Sequence, residues 1–511
     1  MGVTMSGSRV QNTKRNIFFS YIDTFVTFIF SFLSRTIIVH VLGDEYLGLS
    51  SLFSSVFQVL NMAELGFSTA IVYNMYRPIA ENNVDTVCAL LNYYRKIYRG
   101  VAIIIITGGI CIAPFLTYFI KGSYPQEINI YVLYFLYLIN TSSGYIFFAY
   151  KTALLNALQR LDLSKIAYTI TDLFQYVMQI VSLLLLKNYY MFVFWMIIGS
   201  ISKNLLTAYI AAHRFPQYVC KGRISSETKK DIISRVKGLL ICNISSITYT
   251  TFDSIILSSF IGLTSVAIYS NYNTIFTGVS MFIILIRNAM QASVGNSIAI
   301  ETREKNYEDV FLWQFLFSSI ATWCVTCMIS LYQPFMEMWM GKELLLPFMD
   351  VVLICIWFFI TVIQNAYFLY LGGNGFWWEM RWPYILSTIT NVIMNIVLGK
   401  LLGITGIIFS TLFSTFVFGL LWQCSIIFRY YFKTNMKVYQ KKQFAYFVVC
   451  VFSCAIAFFI NQYVITIDGI LGFCVKGTIC TAVSCVLEWM LYHKLDEFQR
   501  AKELLRVLIK R

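Results

Sequence analysis

The chain has 511 residues, 58% of them hydrophobic and only 13% charged, whereas soluble domains carry about 25% charged residues. Apolar runs long enough to cross a hydrocarbon core of about 30 Å recur from end to end. A string of soluble domains is therefore excluded, and an all-α polytopic membrane protein is expected. The formal charge of +14 raises a nucleic-acid role that the placement of the basic residues then removes.

The first 16 residues are polar and carry Arg9, Lys14 and Arg15. The run that follows, IFFSYIDTFVTFIFSFLSRTIIV at 17–39, is too long for a signal-peptide core and lacks a small-residue cleavage site, so it is expected to stay as the first span. About fourteen transmembrane helices are predicted, at 17–39, 47–73, 99–120, 129–150, 166–186, 190–212, 239–260, 267–292, 310–332, 348–370, 382–399, 404–428, 444–465 and 469–492. With the N-terminus inside, the basic residues gather on inside segments: the loop 213–238 with Lys229 and Lys230, the loop 429–443 and the tail after 492. The outside loops are all short and hold only Lys121, Lys187, Lys342 and Lys400. Positive-inside topology accounts for this asymmetry. Both termini are then cytoplasmic, the basic surplus marks orientation, and no nucleic-acid partner is expected. Short outside loops also argue against a receptor or a surface enzyme.

Most of the thirteen cysteines lie inside apolar runs, Cys111, Cys242, Cys324, Cys327, Cys355, Cys450 and Cys454 among them. Cys324 and Cys327 have CxxC spacing, but IATWCVTCMISLY contains no second pair and no histidine. They read as helix packing rather than zinc or redox chemistry. No disulfide framework, metal site or cofactor is expected.

Span 1 ends in VLGDEYLGLSSLF (41–53) and span 7 in FIGLTSVAIYSNY (260–272). Each has an apolar-Gly turn followed by an amphipathic stretch. An offset of six spans, an even number, relates two lobes by an axis along the membrane normal. The expected organisation is an N-lobe with its basic linker (1–236, spans 1–6), a C-lobe (237–430, spans 7–12), and two further helices with a basic tail (431–511). Two pseudo-symmetric six-helix lobes suit alternating access around a hydrated central cavity.

Ionisable residues within spans cost about 2.5–3.5 kcal/mol each on insertion scales, so each needs a partner, a route to the interface or a wet cavity. They are Asp23, Arg35, Glu64, Asp172, Lys203, Asp253, Arg287, Lys476 and Glu488. Lys203 lies near the middle of span 6, too deep for its side chain to reach an interface comfortably. It either faces a cavity or pairs internally, with Asp172 a candidate partner. Arg35 snorkels outward, faces the cavity, or pairs with Asp253. Those two hold nearly equivalent places before Gly43 and Gly262, and together would gate the outer side. Arg287 is placed to meet a phosphate headgroup from the cytoplasmic leaflet, because guanidinium binds phosphate oxygens bidentately. Asp23, about 9 Å into span 1, is a candidate proton or sodium ligand, or a simple hydrogen-bond acceptor. Glu64 is a gate or a packing group. Lys476 and Glu488 lie in the C-terminal pair and read as peripheral. Polar groups for a sugar portion include Asn61, Tyr249, Asn271, Asn273 and Gln291, while most aromatics read as interfacial belts and packing.

SRTIIVHVLGDEYLGLSSLFSSVFQVLNMAELGFSTAIVYNMYRPIA (34–80) resembles the opening of Wzx-type polysaccharide flippases, of the multidrug/oligosaccharidyl-lipid/polysaccharide exporter superfamily. TTFDSIILSSFIGLTSVAIYSNY (250–272), QPFMEMWMGKELLLP (333–347) and LLGITGIIFSTLFSTF (401–416) resemble the same family. The resemblance runs from residue 15 to about 430. It implies translocation of an undecaprenyl-pyrophosphate-linked oligosaccharide from the inner to the outer leaflet of a bacterial cytoplasmic membrane. Cavity cations in such proteins meet the pyrophosphate. Here Arg35, Lys203 and Arg287 are the candidates for that role, and Asp23, Glu64 and Asp253 those for gating or ion coupling. Expected partners are the lipid-linked substrate, membrane lipids, a proton or sodium ion, and a polysaccharide polymerase with its chain-length regulator. No GxxxxGK[ST] motif supports a built-in ATPase. The alternatives are a cation-coupled multidrug exporter or lipid II flippase of the same fold, and, less favoured, a membrane polymerase. A polymerase is disfavoured because His40, His213 and His493 all sit near span ends and form no nucleophile constellation.

Overall fold

A computed structural model describes residues 2–64, 66–122, 124–376, 378–465, 467 and 469–509. The side chains of Cys242 and Tyr249 lie outside the described set. All regular structure among the described residues is helical. The chain divides into two compact units, Met1–Ala267 and Ile268–Arg511.

Unit 1 contains α1 (Gly2–Val41), α2 (Asp44–Asn61), α3 (Phe67–Ala80), α4 (Val84–Ile112), α5 (Ile130–Ile146), α6 (Tyr150–Ala157), α7 (Leu161–Val181), α8 (Tyr189–Arg214) and α9 (Ser226–Phe260). Helix α10 (Leu263–Ile300) runs on into unit 2. Unit 2 continues with α11 (Arg303–Met340), α12 (Phe348–Ile363), α13 (Asn365–Asn374), α14 (Arg381–Leu402), α15 (Ile404–Ser414), α16 (Cys424–Ile427), α17 (Lys437–Tyr463), α18 (Gly469–Tyr492) and α19 (Asp496–Ile509).

Among the described residues, eleven helices are long and apolar enough to cross a membrane, and α5 with α6, bent by 43°, makes a twelfth if the pair is one span. The expected count was about fourteen. The two stretches outside the set are 47–73 and 239–260. The first breaks into α2, a 3₁₀ turn at Met62–Glu64, and α3, which restarts after Gly66 in the left-handed region (φ 89°). Its first half opens on Asp44 and Glu45 and carries Ser50, Ser51, Ser54 and Ser55. The second lies on α9, whose hydroxyl-rich stretch NISSITYTTFDS dilutes its apolar character.

The two glycine turns read from sequence have the same hydrogen-bond pattern. Leu42 N and Gly43 N both donate to Ile38 O (2.9 and 3.1 Å), and Ile261 N and Gly262 N both donate to Leu257 O (2.9 and 3.1 Å). Gly43 (φ 110°) and Gly262 (φ 136°) lie where a side chain would be strained. The C-terminal carbonyls of α9 find a cation as well: Lys121 N donates to Ser258 O (3.0 Å) and its ammonium to Phe260 O (2.5 Å). Positive charge there complements the negative end of the helix dipole.

The core of unit 1 packs Leu49, Leu52 and Phe53 of α2 against Leu133 and Tyr134 of α5 and Val193 of α8. Three of its tyrosine hydroxyls are hydrogen-bonded. Tyr134 donates to Gly109 O (2.9 Å), and the Tyr137 and Tyr189 hydroxyls share a 3.0 Å bond.

In unit 2, α15 continues as a π-helical segment over Thr415–Gln423. The carbonyls freed by that wider turn receive side-chain donors: Gln364 Nε2 reaches Thr415 O (3.2 Å) and Tyr367 OH reaches Gly419 O (2.9 Å). Backbone irregularity inside a bilayer requires such compensation. Helices α17 and α18 pack along α11. There Gln314 Nε2 donates to Tyr439 O (2.8 Å) and Gln443 Oε1 (3.0 Å). Helix α19 docks on the same helix by Arg500–Asp309 and reaches α17 by Lys442–Glu497.

Close helix contacts make a stability prediction. A Cβ on Gly406 would collide with the backbone carbonyl of Leu398, whereas one on Gly100 meets nothing within 4 Å. Gly406→Ala should destabilise by about 1–3 kcal/mol through overpacking, and Gly100→Ala should be neutral or stabilising by about 0.5–1 kcal/mol. Thermal unfolding of the detergent-purified protein should rank them in that order. Equal melting midpoints for the two variants would contradict the packing.

Candidate functional site

Helix α7 places Asp162, Lys165, Thr169 and Asp172 along one side. Residues seven apart on a helix differ by only about 20° in direction, so Lys165 and Asp172 point nearly the same way. Helices α1 and α8 pack against α7 and present opposite charges. Lys165 Nζ donates to Asp23 Oδ2 of α1 (2.7 Å), with Thr169 Oγ1 at 3.5 Å from Oδ1. Lys203 Nζ of α8 lies 2.6 Å from Asp172 Oδ1. Both carboxylates are buried, Asp23 at 7% and Asp172 at 8% exposure. One turn further along, Arg15 (2.5 Å) and Arg160 (2.9 Å) both hold Asp162, which is fully buried. Small residues allow the close approach: Gly199 of α8 lies directly against the Gln175 side chain of α7.

Lys203 also borders a cavity of about 350 Å³ inside unit 1. Its ammonium sits 5.1 Å from the Tyr168 ring centroid. Glu64 lines the same cavity. Its Oε1 accepts from the hydroxyls of Tyr94 (3.3 Å) and Tyr98 (3.2 Å), which are themselves joined at 2.7 Å. A larger cavity, about 530 Å³, lies in unit 2 among α12, the α15 segment and α17. Phenylalanine, leucine and isoleucine dominate its wall, and it offers no charged group.

The structure thus brings Lys203 and Glu64 to one cavity and ties Asp23 to the same α7 face as Lys203. Arg35 is half-buried on α1. Asp253 is fully buried on α9. Arg287 belongs to unit 2, where its Nη1 donates to Asn365 Oδ1 (3.2 Å) and its guanidinium lies 5.9 Å from the Phe368 ring centroid. Among the polar residues considered for sugar contact, Gln291 donates to Leu369 O (2.8 Å) and Asn271 is fully buried. Lys165 falls one residue before the expected fifth span (166–186), and of the tyrosines only Tyr249 stood among the candidates for sugar contact. The seven-residue spacing from Lys165 to Asp172 was the available signal. The meeting of α3, α4 and α5 that gathers Tyr94, Tyr98 and Tyr145 left no local trace.

The sequence profile of the family described as polysaccharide biosynthesis protein matches residues 13–294. No match to a curated protein was found. Among solved structures, the chain is similar to a lipid II flippase MurJ in an inward closed conformation, with a TM-score of 0.63 and 14% identity over 94% of this chain and 99% of that one. It is equally similar to an inward-facing multidrug resistance MATE family transporter, with a TM-score of 0.63 and 15% identity over 78% of this chain and 94% of that one. An outward-facing MATE family transporter follows, with a TM-score of 0.58 and 15% identity over 81% and 95%. At these identities the likeness establishes the fold, that of multi-pass membrane transporters. With more than half its length matched by the family profile, the chain belongs to the polysaccharide biosynthesis protein family.

Proposed function

We propose that the chain is a non-enzymatic flippase that moves an undecaprenyl-pyrophosphate-linked oligosaccharide from the inner to the outer leaflet of a bacterial cytoplasmic membrane by alternating access. The product feeds surface polysaccharide assembly (capsule, O-antigen or exopolysaccharide), handed on to a polymerase and its chain-length regulator. The gathering of basic residues on alternate connecting segments and the tail supports cytoplasmic placement of both termini. The observation that carries the reading is Lys203, a cation deep in a spanning helix that borders a polar cavity while paired with Asp172. An anionic headgroup entering that cavity competes with Asp172 for the ammonium. Arg35 and Arg287 are the further cations assigned to the pyrophosphate, Arg287 as a planar donor matched to phosphate oxygens. Asp23, held by Lys165, is assigned to proton or sodium coupling, and Glu64 and Asp253 to gating. Each negative charge moved outward across an inside-negative potential gains roughly 2.3 kcal/mol per 100 mV, which assists export without ATP.

The carboxylates Asp23, Glu64 and Asp172 favour a second reading, a cation-coupled exporter of cationic compounds. Leaflet-specific labelling of the lipid-linked glycan in a deletion strain separates the two. Inner-leaflet accumulation relieved by the wild-type gene supports the flippase, and normal labelling with drug sensitivity supports the exporter.

In that complementation assay, Arg287→Ala should lower outer-leaflet glycan at least tenfold, with partial rescue by Arg287→Lys. Full activity of the alanine variant would remove Arg287 from the substrate path. The Asp172–Lys203 pair separates stability from transport. Breaking a buried pair costs about 3–5 kcal/mol, whereas replacing both partners with apolar groups is close to neutral. Lys203→Met alone should lose thermal stability and transport together. Asp172→Leu with Lys203→Met should regain the melting midpoint but not the transport, and transport restored with it would refute a substrate role for Lys203. In proteoliposomes with an imposed pH gradient, Asp23→Asn should make the flipping rate independent of the gradient. A retained dependence assigns coupling elsewhere.

A further inference from the structure

The unit 1 cavity holds more than its ion pair. Its one lysine already has a carboxylate partner in Asp172, and apart from Glu64 what remains of its wall is uncharged, with Tyr94, Tyr98, Tyr145 and Tyr168 prominent. The Tyr98 and Tyr145 rings meet with centroids 5.4 Å apart at 52°, and Tyr94 closes on Tyr98 at 4.4 Å. Across the cavity the Tyr168 hydroxyl shares a 3.0 Å hydrogen bond with Thr152 Oγ1. Asn156, also in the wall, is exposed, and its side-chain amide meets no partner among the described residues, nor does the hydroxyl of Tyr145. Glu64, with two tyrosine hydroxyls on Oε1, keeps further acceptor capacity.

We propose that this cavity binds one or two neutral pyranose rings of the translocated glycan. The proposal rests on the flippase reading and names the part of the substrate that unit 1 recognises. A sugar ring carries hydroxyls that both donate and accept, and a face of C–H groups. Buried in hydrocarbon, each unmatched hydroxyl would cost several kcal/mol. A cavity able to take it must supply donors, acceptors and an apolar plate together. Asn156 provides a donor and an acceptor, Glu64 an acceptor, and Tyr145 an apolar face with a polar tip. The volume of about 350 Å³ falls at the lower end of small-molecule sites, about 300–1,000 Å³. Glu64 thereby touches substrate in addition to any gating movement. The pyrophosphate stays with Lys203 on the same wall, where it competes with Asp172 for the ammonium.

The test uses the full chain in phospholipid nanodiscs. Four probes are titrated: undecaprenyl pyrophosphate, and the same lipid carrying glucose, galactose or N-acetylglucosamine. Wild type should bind at least one glycosylated probe tenfold or more tighter than the bare lipid. Tyr145→Leu and Asn156→Ala should each cut that advantage below threefold while leaving affinity for bare lipid unchanged. The exposed position of Asn156 keeps its variant free of folding effects, and a matching melting midpoint checks the other. An advantage that persists in both variants overturns the sugar site, as does a wild type that binds bare lipid and every glycosylated probe equally; in either case the flippase reading stands. Binding of none of the four overturns both readings.

Discussion

A charge inside a bilayer must find an opposite charge or water, and in this protein one helix supplies the answer twice. Lys165 and Asp172, two turns apart on α7, neutralise Asp23 from α1 and Lys203 from α8. The arrangement sets which helices can be neighbours in unit 1, because α7 must lie between a helix bearing an acid and a helix bearing a base at matching depth. Close packing follows the same demand. Gly199 brings the α8 backbone against Gln175, and Phe30 of α1 stacks on Tyr176 of α7 at 5.5 Å.

Much of this organisation was legible in the amino-acid order. Length and hydropathy identify most spans because a bilayer imposes one length scale on every crossing. The glycine turns at Gly43 and Gly262 were legible for a different reason: the positive φ they adopt favours glycine, so the residue announces the geometry. The break after Asn61 was harder to read. The run 47–73 is apolar on both sides of Glu64, and the stop there is accounted for by Gly66 in the left-handed region together with Tyr94 and Tyr98, which hold that carboxylate. The site was half legible. Its charges stand out against an apolar background, and Asp172 was already a candidate partner for Lys203. The tyrosines do not stand out, because a chain that is 17% aromatic offers no contrast.

Irregular backbone is concentrated where side chains can complete it. The π-helical stretch after Ser414 is matched by Gln364 and Tyr367, residues that flank the junction between α12 and α13. Two local departures from α geometry thus share one set of hydrogen bonds. In unit 1 the 3₁₀ turn at Met62–Glu64 is likewise anchored by the hydroxyls of α4. In each unit one irregular segment is therefore cross-linked to regular helices.

The placement of two ion pairs on a single side of α7 has a mechanical consequence. Turning that helix by one residue swings its side chains through about 100° and would pull Lys165 from Asp23 and Asp172 from Lys203 in the same motion. The helix is in effect keyed at two points along its length, so axial rolling is closed to it as a means of shape change. Displacement in this part of the molecule must carry α1, α7 and α8 as one block, with the bending left to joints such as the 43° elbow between α5 and α6.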